Sequence, residues 1–290
     1  MKLEYKVQEK DVGSSINQIL QKLEISTRLL HKLILQKNIF INDKLCDTRK
    51  LASANDKITI YFDYPEDNHN IIPTPINLNI LYEDKWLLVV DKPAGLPIHP
   101  SRKHYTDSLS NGIKFYFDSI GLSKKIRPVN RLDLDTSGIV IFAKCEYIQE
   151  AFSRQMALNI FKKEYYCLVS GLLEKQTGII NLPIARKQNS IIERCIDYEK
   201  GQPSVTHYKV AQEFKNYSLV KCQLETGRTH QIRVHMAAIG HPILGDTLYG
   251  TPSSIVSRQA LHSYKIECVH PITKEKLVFE SPLTDFLNSI

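Results

Sequence analysis

The sequence lacks the long apolar segments of a membrane protein. Its longest run without a charged residue, 68–82, covers 15 positions and contains Pro73 and Pro75, whereas a membrane-spanning helix needs ~20 apolar residues. Charged residues alternate through residues 1–6 and no apolar segment follows them, so we expect no secretory signal. We therefore expect a cytoplasmic protein that does not bind a membrane.

The sequence also lacks closely spaced pairs of cysteines. The six cysteines include no C-x-x-C pair, which favours reduced structural thiols over a disulfide or zinc framework. Among the histidines, His230 and His235 are five positions apart. That spacing places them on opposite faces of a strand, or about 140° apart on a helix. They do not converge on a zinc ion, so no zinc site is predicted.

The sequence also has no loop of the kind that binds nucleotide phosphates. Neither G-x-G-x-x-G nor G-x-x-x-x-G-K-[ST] occurs, because the correctly spaced Gly240 and Gly245 are followed by Asp246. Both motifs use glycines to bring backbone N–H groups close to phosphate oxygens. No nucleotide cofactor is therefore expected.

One segment matches a calcium-binding loop only in part. Asp133, Asp135, Ser137 and Gly138 match positions 1, 3, 5 and 6 of such a loop. Position 12, where a bidentate glutamate must bind the ion, is Lys144. The two aspartates could instead stabilise a turn through local hydrogen bonds. No metal is predicted.

The composition is that of a globular protein with a modest positive charge. The chain has 290 residues, 42% of them hydrophobic, enough for one large core and a smaller one. Subtracting 31 acidic from 38 basic residues leaves a net charge of +7. This excess suits a polyanionic partner.

The chain divides into a small unit at 1–62, a linker at 63–78 and a large unit at 79–290. The linker contains three acidic residues and three prolines but no lysine or arginine. Before it, apolar spacing predicts two short helices, the second capped by Ser26, followed by strands at 39–41 and 57–62.

The small unit resembles an S4 RNA-binding domain over about fifty residues. The resemblance rests on the helix–helix–strand order and on the segments 26–28, 39–44 and 55–58. It is degenerate, since Asn-Asp stands at both places where the family usually has a glycine-containing turn. It implies an RNA contact at Arg28.

Functional groups in the large unit are concentrated in two segments. Residues 130–138 hold an arginine and two aspartates just before a predicted strand, and residues 226–235 hold two arginines and two histidines. Arginines at such positions can bind phosphates or keep a carboxylate ionised. A surface salt-bridge network is the alternative for the second segment.

Residues from about 79 to 282 resemble the RluA family of pseudouridine synthases. The resemblance is carried by five ordered blocks: 83–84 with 90–95, 130–138, 163–165, 226–235 and 258–262. It implies an α+β catalytic domain with a mixed, mostly antiparallel sheet, and an isomerase that needs no cofactor. By this resemblance Asp133 is the catalytic aspartate, Tyr165 packs against the target base, and Arg233 ion-pairs with Asp133. Asn130 stands where many members have histidine.

The resemblance also implies RNA as the partner of a monomeric enzyme. Large-subunit ribosomal RNA is the preferred substrate and tRNA the alternative. A non-catalytic RNA-binding protein and a metal-dependent hydrolase are the competing classes of function. A basic run at 124–131 is predicted to form a rim that faces phosphates. The predicted RNA-binding residues are Arg28, Lys124, Lys125, Arg127, Arg131, Arg228, Thr229 and His230.

Overall fold

The computed structural model describes residues 1–250 and 252–288. Residues 1–62 form an antiparallel sheet with two helices on the chain between its first two strands, in the sheet order β1-β4-β2-β3. The elements are β1 (Lys2–Lys6), α1 (Ile16–Lys22), α2 (Thr27–Leu35), β2 (Ile39–Ile41), β3 (Lys44–Leu45) and β4 (Lys57–Tyr61).

Both predicted helices of this region are confirmed. The Ser26 hydroxyl accepts a hydrogen bond from the Leu29 N–H at 3.2 Å and so caps α2. Strand β1 was not predicted. Its charged residues are exposed and alternate with half-buried apolar ones, which is the pattern of a strand, but the alternation was used only as evidence against a secretory signal.

Residues 79–288 form a nine-stranded sheet, a two-stranded ribbon and four helices. The sheet order is β5-β6-β7-β14-β8-β13-β12-β9, and β15 also pairs with β14. Among the described strands, only β7 and β14 run parallel, so the predicted α+β class with a mostly antiparallel sheet is confirmed. The elements are β5 (Asn79–Glu83), β6 (Leu87–Lys92), α3 (Leu109–Ser119), β7 (Ser137–Ala143), α4 (Glu146–Ala157), β8 (Lys162–Ser170), β9 (Thr177–Asn181), β10 (Ile184–Arg186), β11 (Arg194–Ile196), β12 (Val205–Glu213), β13 (Tyr217–Leu224), α5 (Gln231–Ala238), β14 (Leu261–Val269), β15 (Lys276–Glu280) and α6 (Leu283–Asn288).

Alternation along β6 divides the core between the two faces of the sheet. Leu88 and Val90 pack on the face covered by α3, whereas Leu87 and Val89 join the core that contains α4. That second core also includes the buried residues of the N-terminal sheet and helices. Side chains that alternate between faces bury both sides of a central strand.

A buried charge cluster links the chain before β5 to the region before β7. Arg127 donates two hydrogen bonds to Glu66, at 2.6 and 2.8 Å, and Lys124 donates to the carbonyl oxygens of Phe62 and Tyr64. The side chains of Glu66 and Arg127 are only 3% and 6% exposed. Burial opposes the charge on Glu66, but the hydrogen bonds and positive charges of Arg127 and Lys32 together outweigh it and hold the pKa of Glu66 below its usual range.

The prediction that Lys124 and Arg127 line a phosphate-facing rim is wrong. Both are buried, and both are bound to residues 60 or more positions earlier in the chain. Residues 124–131 contain four basic residues and no acidic one. The carboxylate that pairs with Arg127 belongs to Glu66, far earlier in the chain. Lys125, between them, is exposed.

None of the helices in residues 1–250 and 252–288 is long and apolar enough to cross a membrane.

Candidate active site

The loop that carries Asp133 is fastened to β7 by an asparagine. Asn130 donates from Nδ2 to the Ile139 carbonyl at 2.9 Å, and its Oδ1 accepts from the Ile141 N–H at 2.9 Å. The side chain is buried, and both ends of its amide are bound by backbone groups of the strand. Asn130 therefore positions the loop that leads to Asp133.

A buried lysine holds the other side of this loop. The Lys92 ammonium donates to the carbonyl oxygens of Pro93, Leu96 and Leu134 at 2.8, 2.8 and 2.9 Å. Burial lowers the pKa of Lys92 to about 7, and in the charged form the three acceptors use all three N–H bonds. Since Leu134 follows Asp133 directly, Lys92 ties β6 to the loop bearing the carboxylate.

Replacing Lys92 with methionine should lower the rate of the reaction by about 10²-fold, since displacement of a reacting group by about 1 Å has an effect of that size. The fold should survive, because methionine fills a similar volume without a charge. Steady-state kinetics and thermal unfolding measure the two effects. The exposed Lys85→Met is the matched control, and equal kcat values for the two variants would contradict a positioning role for Lys92.

A glycine lets the loop and the neighbouring strand approach closely. Gly138 has a φ of +110°, and a Cβ atom there would lie 2.2 Å from the Ser263 carbonyl oxygen. Ser263 of β14 is the register partner of Gly138 on one side and of Tyr165 on the other. This contact brings the start of β7 near the strand that holds Tyr165.

Arg233 lies between two carboxylates. From α5 it donates to Asp133 Oδ2 at 3.0 Å and, through two further N–H groups, to Asp246 at 2.7 and 2.9 Å. Asp246 is fully buried, whereas the Asp133 side chain is 25% exposed. The guanidinium is thus fixed by one carboxylate through Nε and Nη2 and presents Nη1 to the other.

The pKa values of the buried pair follow from this geometry. Burial is the largest single effect and opposes the charge on Asp246. The hydrogen bonds and charge of Arg233, together with the N–H groups of Leu248 and Tyr249, outweigh it and hold the pKa of Asp246 below its usual range. Burial also opposes the charge on Arg233, and the two carboxylates raise its pKa. Both groups are charged at neutral pH.

His230, which was predicted to bind RNA, lies next to Asp133. Its Nδ1 is hydrogen-bonded to the Tyr249 hydroxyl at 2.8 Å, and its Nε2 lies 3.9 Å from Asp133 Oδ2. Burial lowers the pKa of His230, so the imidazole is neutral at pH 7. This placement favours support of the carboxylate over the predicted phosphate contact.

Tyr165 and Asp133 line the same cleft, which has a volume of about 1200 Å³. Tyr165 projects from β8 and is almost completely buried. Burial raises its pKa to about 12, so the phenol keeps its proton at neutral pH.

The cleft is strongly basic. Five cationic side chains line it against two carboxylates, those of Asp133 and Glu225. The cations are Arg131, Lys163, Arg186, Arg194 and Arg228. Of the predicted RNA-binding residues, Arg131, Arg228 and Thr229 line the cleft, whereas the exposed Arg28 and Lys125 are not part of its described lining.

Sequence reasoning assigned no role to four of the charged groups at this site: Lys163, Arg186, Arg194 and Asp246. Arg186 and Arg194 face each other across the ribbon of β10 and β11, a pairing without a local motif. Asp246 follows Gly245, whose φ of +71° and 2.1 Å approach of a Cβ to the Arg258 carbonyl oxygen require glycine. A glycine directly before an acidic residue was therefore the sequence signal that could have identified Asp246.

Within the described ranges 1–250 and 252–288, no group of three or more His, Cys, Asp or Glu side chains is placed to hold a metal ion.

Comparisons with known proteins identify relatives over almost the whole chain. The family described as RNA pseudouridylate synthase matches residues 86–238. The Uncharacterized RNA pseudouridine synthase YhcT of Bacillus subtilis (strain 168) is 37% identical, over 97% of this chain and 93% of its own length. The Ribosomal large subunit pseudouridine synthase D of Neisseria meningitidis serogroup B (strain ATCC BAA-335 / MC58) is 33% identical, over 93% of this chain and 76% of its own. The solved structure of Human RNA Pseudouridylate Synthase Domain Containing 1 covers 71% of this chain and 83% of that protein, with 27% identity and a TM-score of 0.59.

Proposed function

This chain belongs to the RNA pseudouridylate synthase family, and we propose that it converts specific uridines of large-subunit ribosomal RNA to pseudouridine. The predicted resemblance to the RluA family is confirmed, and the chain is an isomerase that acts on RNA. The choice of RNA rests on relatives named as large-subunit enzymes. The observation that carries the proposed site is a partly exposed carboxylate in a basic cleft, fixed from behind by a buried arginine.

The proposed reaction moves a base without adding or removing atoms overall. The N1–C1′ bond of uridine breaks, the uracil turns, and C5 bonds to C1′. A proton leaves C5 and a proton is gained at N1, so no redox partner is required. The target nucleotide must leave its stack before a side chain can reach C1′.

Asp133 is the proposed catalytic carboxylate. It can attack C1′, stabilise positive charge that develops there, or abstract a proton from C2′. Each role uses the carboxylate oxygens, and the hydrogen bond from Arg233 to Oδ2 at 3.0 Å holds them in position. Because Asp246 holds Arg233 in place with two hydrogen bonds, we assign Asp246 a positioning role.

Tyr165 is the proposed partner of the target base. Its ring offers a stacking surface for uracil, and its protonated phenol can assist the proton transfer from C5 through a hydrogen bond. The neighbouring cations Arg131, Arg228, Arg186 and Arg194 are proposed to bind phosphates along the strand.

Replacing Tyr165 with phenylalanine should leave RNA binding unchanged and slow turnover by about 10²-fold or more, since the ring remains and the phenol is lost. Filter binding and single-turnover rates separate the two effects. Full activity of this variant would show that the phenol takes no part in the reaction.

The domain assignment is part of the proposal. Residues 1–62 are proposed as an S4-like RNA-binding domain in which the exposed Arg28 contacts RNA, 63–78 as its connection, and 79–290 as the catalytic domain. The helix–helix–strand order of this region supports it. That the enzyme is a cytoplasmic monomer stays a prediction.

Mapping of pseudouridines in a strain without the gene tests the choice of substrate. We expect at least one pseudouridine of large-subunit ribosomal RNA to disappear and to return with the wild-type gene but not with Asp133→Asn. A loss confined to tRNA would contradict the ribosomal assignment and support the tRNA alternative.

A further inference from the structure

Lys163 is a buried cation without a counter-charge. It lies on β8 and is 8% exposed. Among the residues that the structure describes, no carboxylate or carbonyl oxygen hydrogen-bonds to its ammonium or pairs with it. Burial lowers the pKa of Lys163 to about 8, so the group is still mainly charged at pH 7.

Among the residues that the structure describes, the other buried lysines and arginines have hydrogen-bonding partners. Lys92 has three carbonyl oxygens and Arg233 has two carboxylates. Burying a charge is costly unless it is paired. An unpaired ammonium in the wall of an open cleft therefore indicates that a ligand supplies the missing negative charge.

The strand aims Lys163 into the same space as Tyr165. Side chains two positions apart on a strand share a face, and both of these line the cleft. Glu164, between them, points to the other face and pairs with Lys221 at 2.8 Å. Two strand residues span about 7 Å, a distance on the scale of a single nucleotide.

A glycine keeps the ammonium accessible. Gly227 is an exposed residue of the cleft lining, and a Cβ atom at this position would lie 3.0 Å from Lys163 Nζ. A side chain here would meet the ammonium unless the lysine moved, whereas glycine leaves room for an oxygen ligand beside it.

From this arrangement we propose that Lys163 binds a phosphate next to the target uridine and so fixes the nucleotide whose base lies against Tyr165. The assignment rests on the proposed function. Uracil and ribose are neutral and cannot balance a buried ammonium, whereas a backbone phosphate carries a full negative charge and accepts several hydrogen bonds. A cation on the strand of Tyr165 would hold the backbone while the base turns.

Two substitutions and a control test the assignment on a stem-loop RNA that contains the mapped uridine. Lys163→Met should weaken RNA binding at least about tenfold and make the slope of log affinity against log salt shallower by about 0.7. Lys163→Arg, which keeps the charge, should recover part of the affinity. Lys162→Met removes a lysine of the opposite face and should bind as wild type does. The melting temperature of Lys163→Met should not fall, because no ion pair is lost.

A neutral backbone identifies the ligand atom. The same RNA is made with a methylphosphonate on the 5′ or the 3′ side of the target uridine. One of the two should weaken binding to the wild type about as much as Lys163→Met does, and should have no further effect on that variant. If neither linkage matters to the wild type, or if Lys163→Met binds normally, the assignment of Lys163 is overturned. If the wild type does not convert the unmodified stem-loop, the proposed function itself fails.

Discussion

Replacing Asp133 with asparagine should reduce pseudouridine formation by more than about 10⁴-fold, the size of effect seen when the central group of a catalytic set is removed. Asparagine has nearly the same size but no negative charge, so it can neither attack C1′ nor stabilise a cation there. The variant should still bind RNA, because the five cations of the cleft are untouched.

The variant should also remain folded. Arg233 loses one acceptor but keeps both hydrogen bonds to Asp246, so no buried charge is left unpaired. Asp118→Asn, a surface carboxylate on α3 paired with Lys114, is the matched control and should keep full activity. If Asp133→Asn forms pseudouridine at a rate within tenfold of the wild type, Asp133 is not the catalytic carboxylate.

Replacing Arg233 with glutamine should have the largest effect on stability, a loss of about 3–5 kcal/mol in the free energy of unfolding. The substitution leaves Asp246 charged, fully buried and without its guanidinium partner. Activity should fall as well, since Asp133 loses the hydrogen bond that positions its carboxylate. Urea unfolding and single-turnover kinetics measure the two losses.

The pH dependence of the loss distinguishes this pair from an ordinary ion pair. In the wild type the pKa of Asp246 is below its usual range, so the pair stabilises the fold above about pH 3.9 and loses that contribution as the pH falls toward the lowered pKa. In Arg233→Gln only the N–H groups of Leu248 and Tyr249 still oppose the effect of burial, so we expect the pKa of Asp246 to rise above its usual range. The folded variant then binds a proton more readily than the unfolded chain, and its stability should rise from pH 7 to pH 5.

A surface arginine provides the control for this experiment. Arg154 pairs with Glu24 at 3.1 Å, and the two side chains are 32% and 56% exposed. Arg154→Gln should cost no more than about 1 kcal/mol and should leave the shape of the stability–pH curve unchanged. A parallel pH curve for Arg233→Gln and wild type would contradict the account of Asp246.

Periodicity and motif resemblance predicted those parts of the fold and site that local sequence records. The apolar spacing of residues 16–23 and the cap at Ser26 are local features, and both helices are present. The pairing of Asp133 with Arg233 joins positions 100 residues apart. It could be predicted because the resemblance supplied both residues, whereas their spacing alone contains no such information.

The remaining contacts have partners that no local pattern specifies. Arg127 lies in a basic run, but its counter-ion Glu66 is 61 residues away, so the run was interpreted as a surface rim. Lys92 binds only carbonyl oxygens, which every residue possesses. Arg186 and Arg194 enter the cleft through the register of a short ribbon, which depends on how the chain turns between them.

Release of tritium from RNA that contains 5-tritiated uridine tests the central claim most directly, because forming the C5–C1′ bond expels the hydrogen of C5. The substrate is large-subunit ribosomal RNA, without added metal and with chelator present. We predict release by the wild-type protein and none by Asp133→Asn at equal RNA binding. If the wild type binds RNA but releases tritium from no cellular RNA, the result would contradict the account and favour a non-catalytic RNA-binding protein.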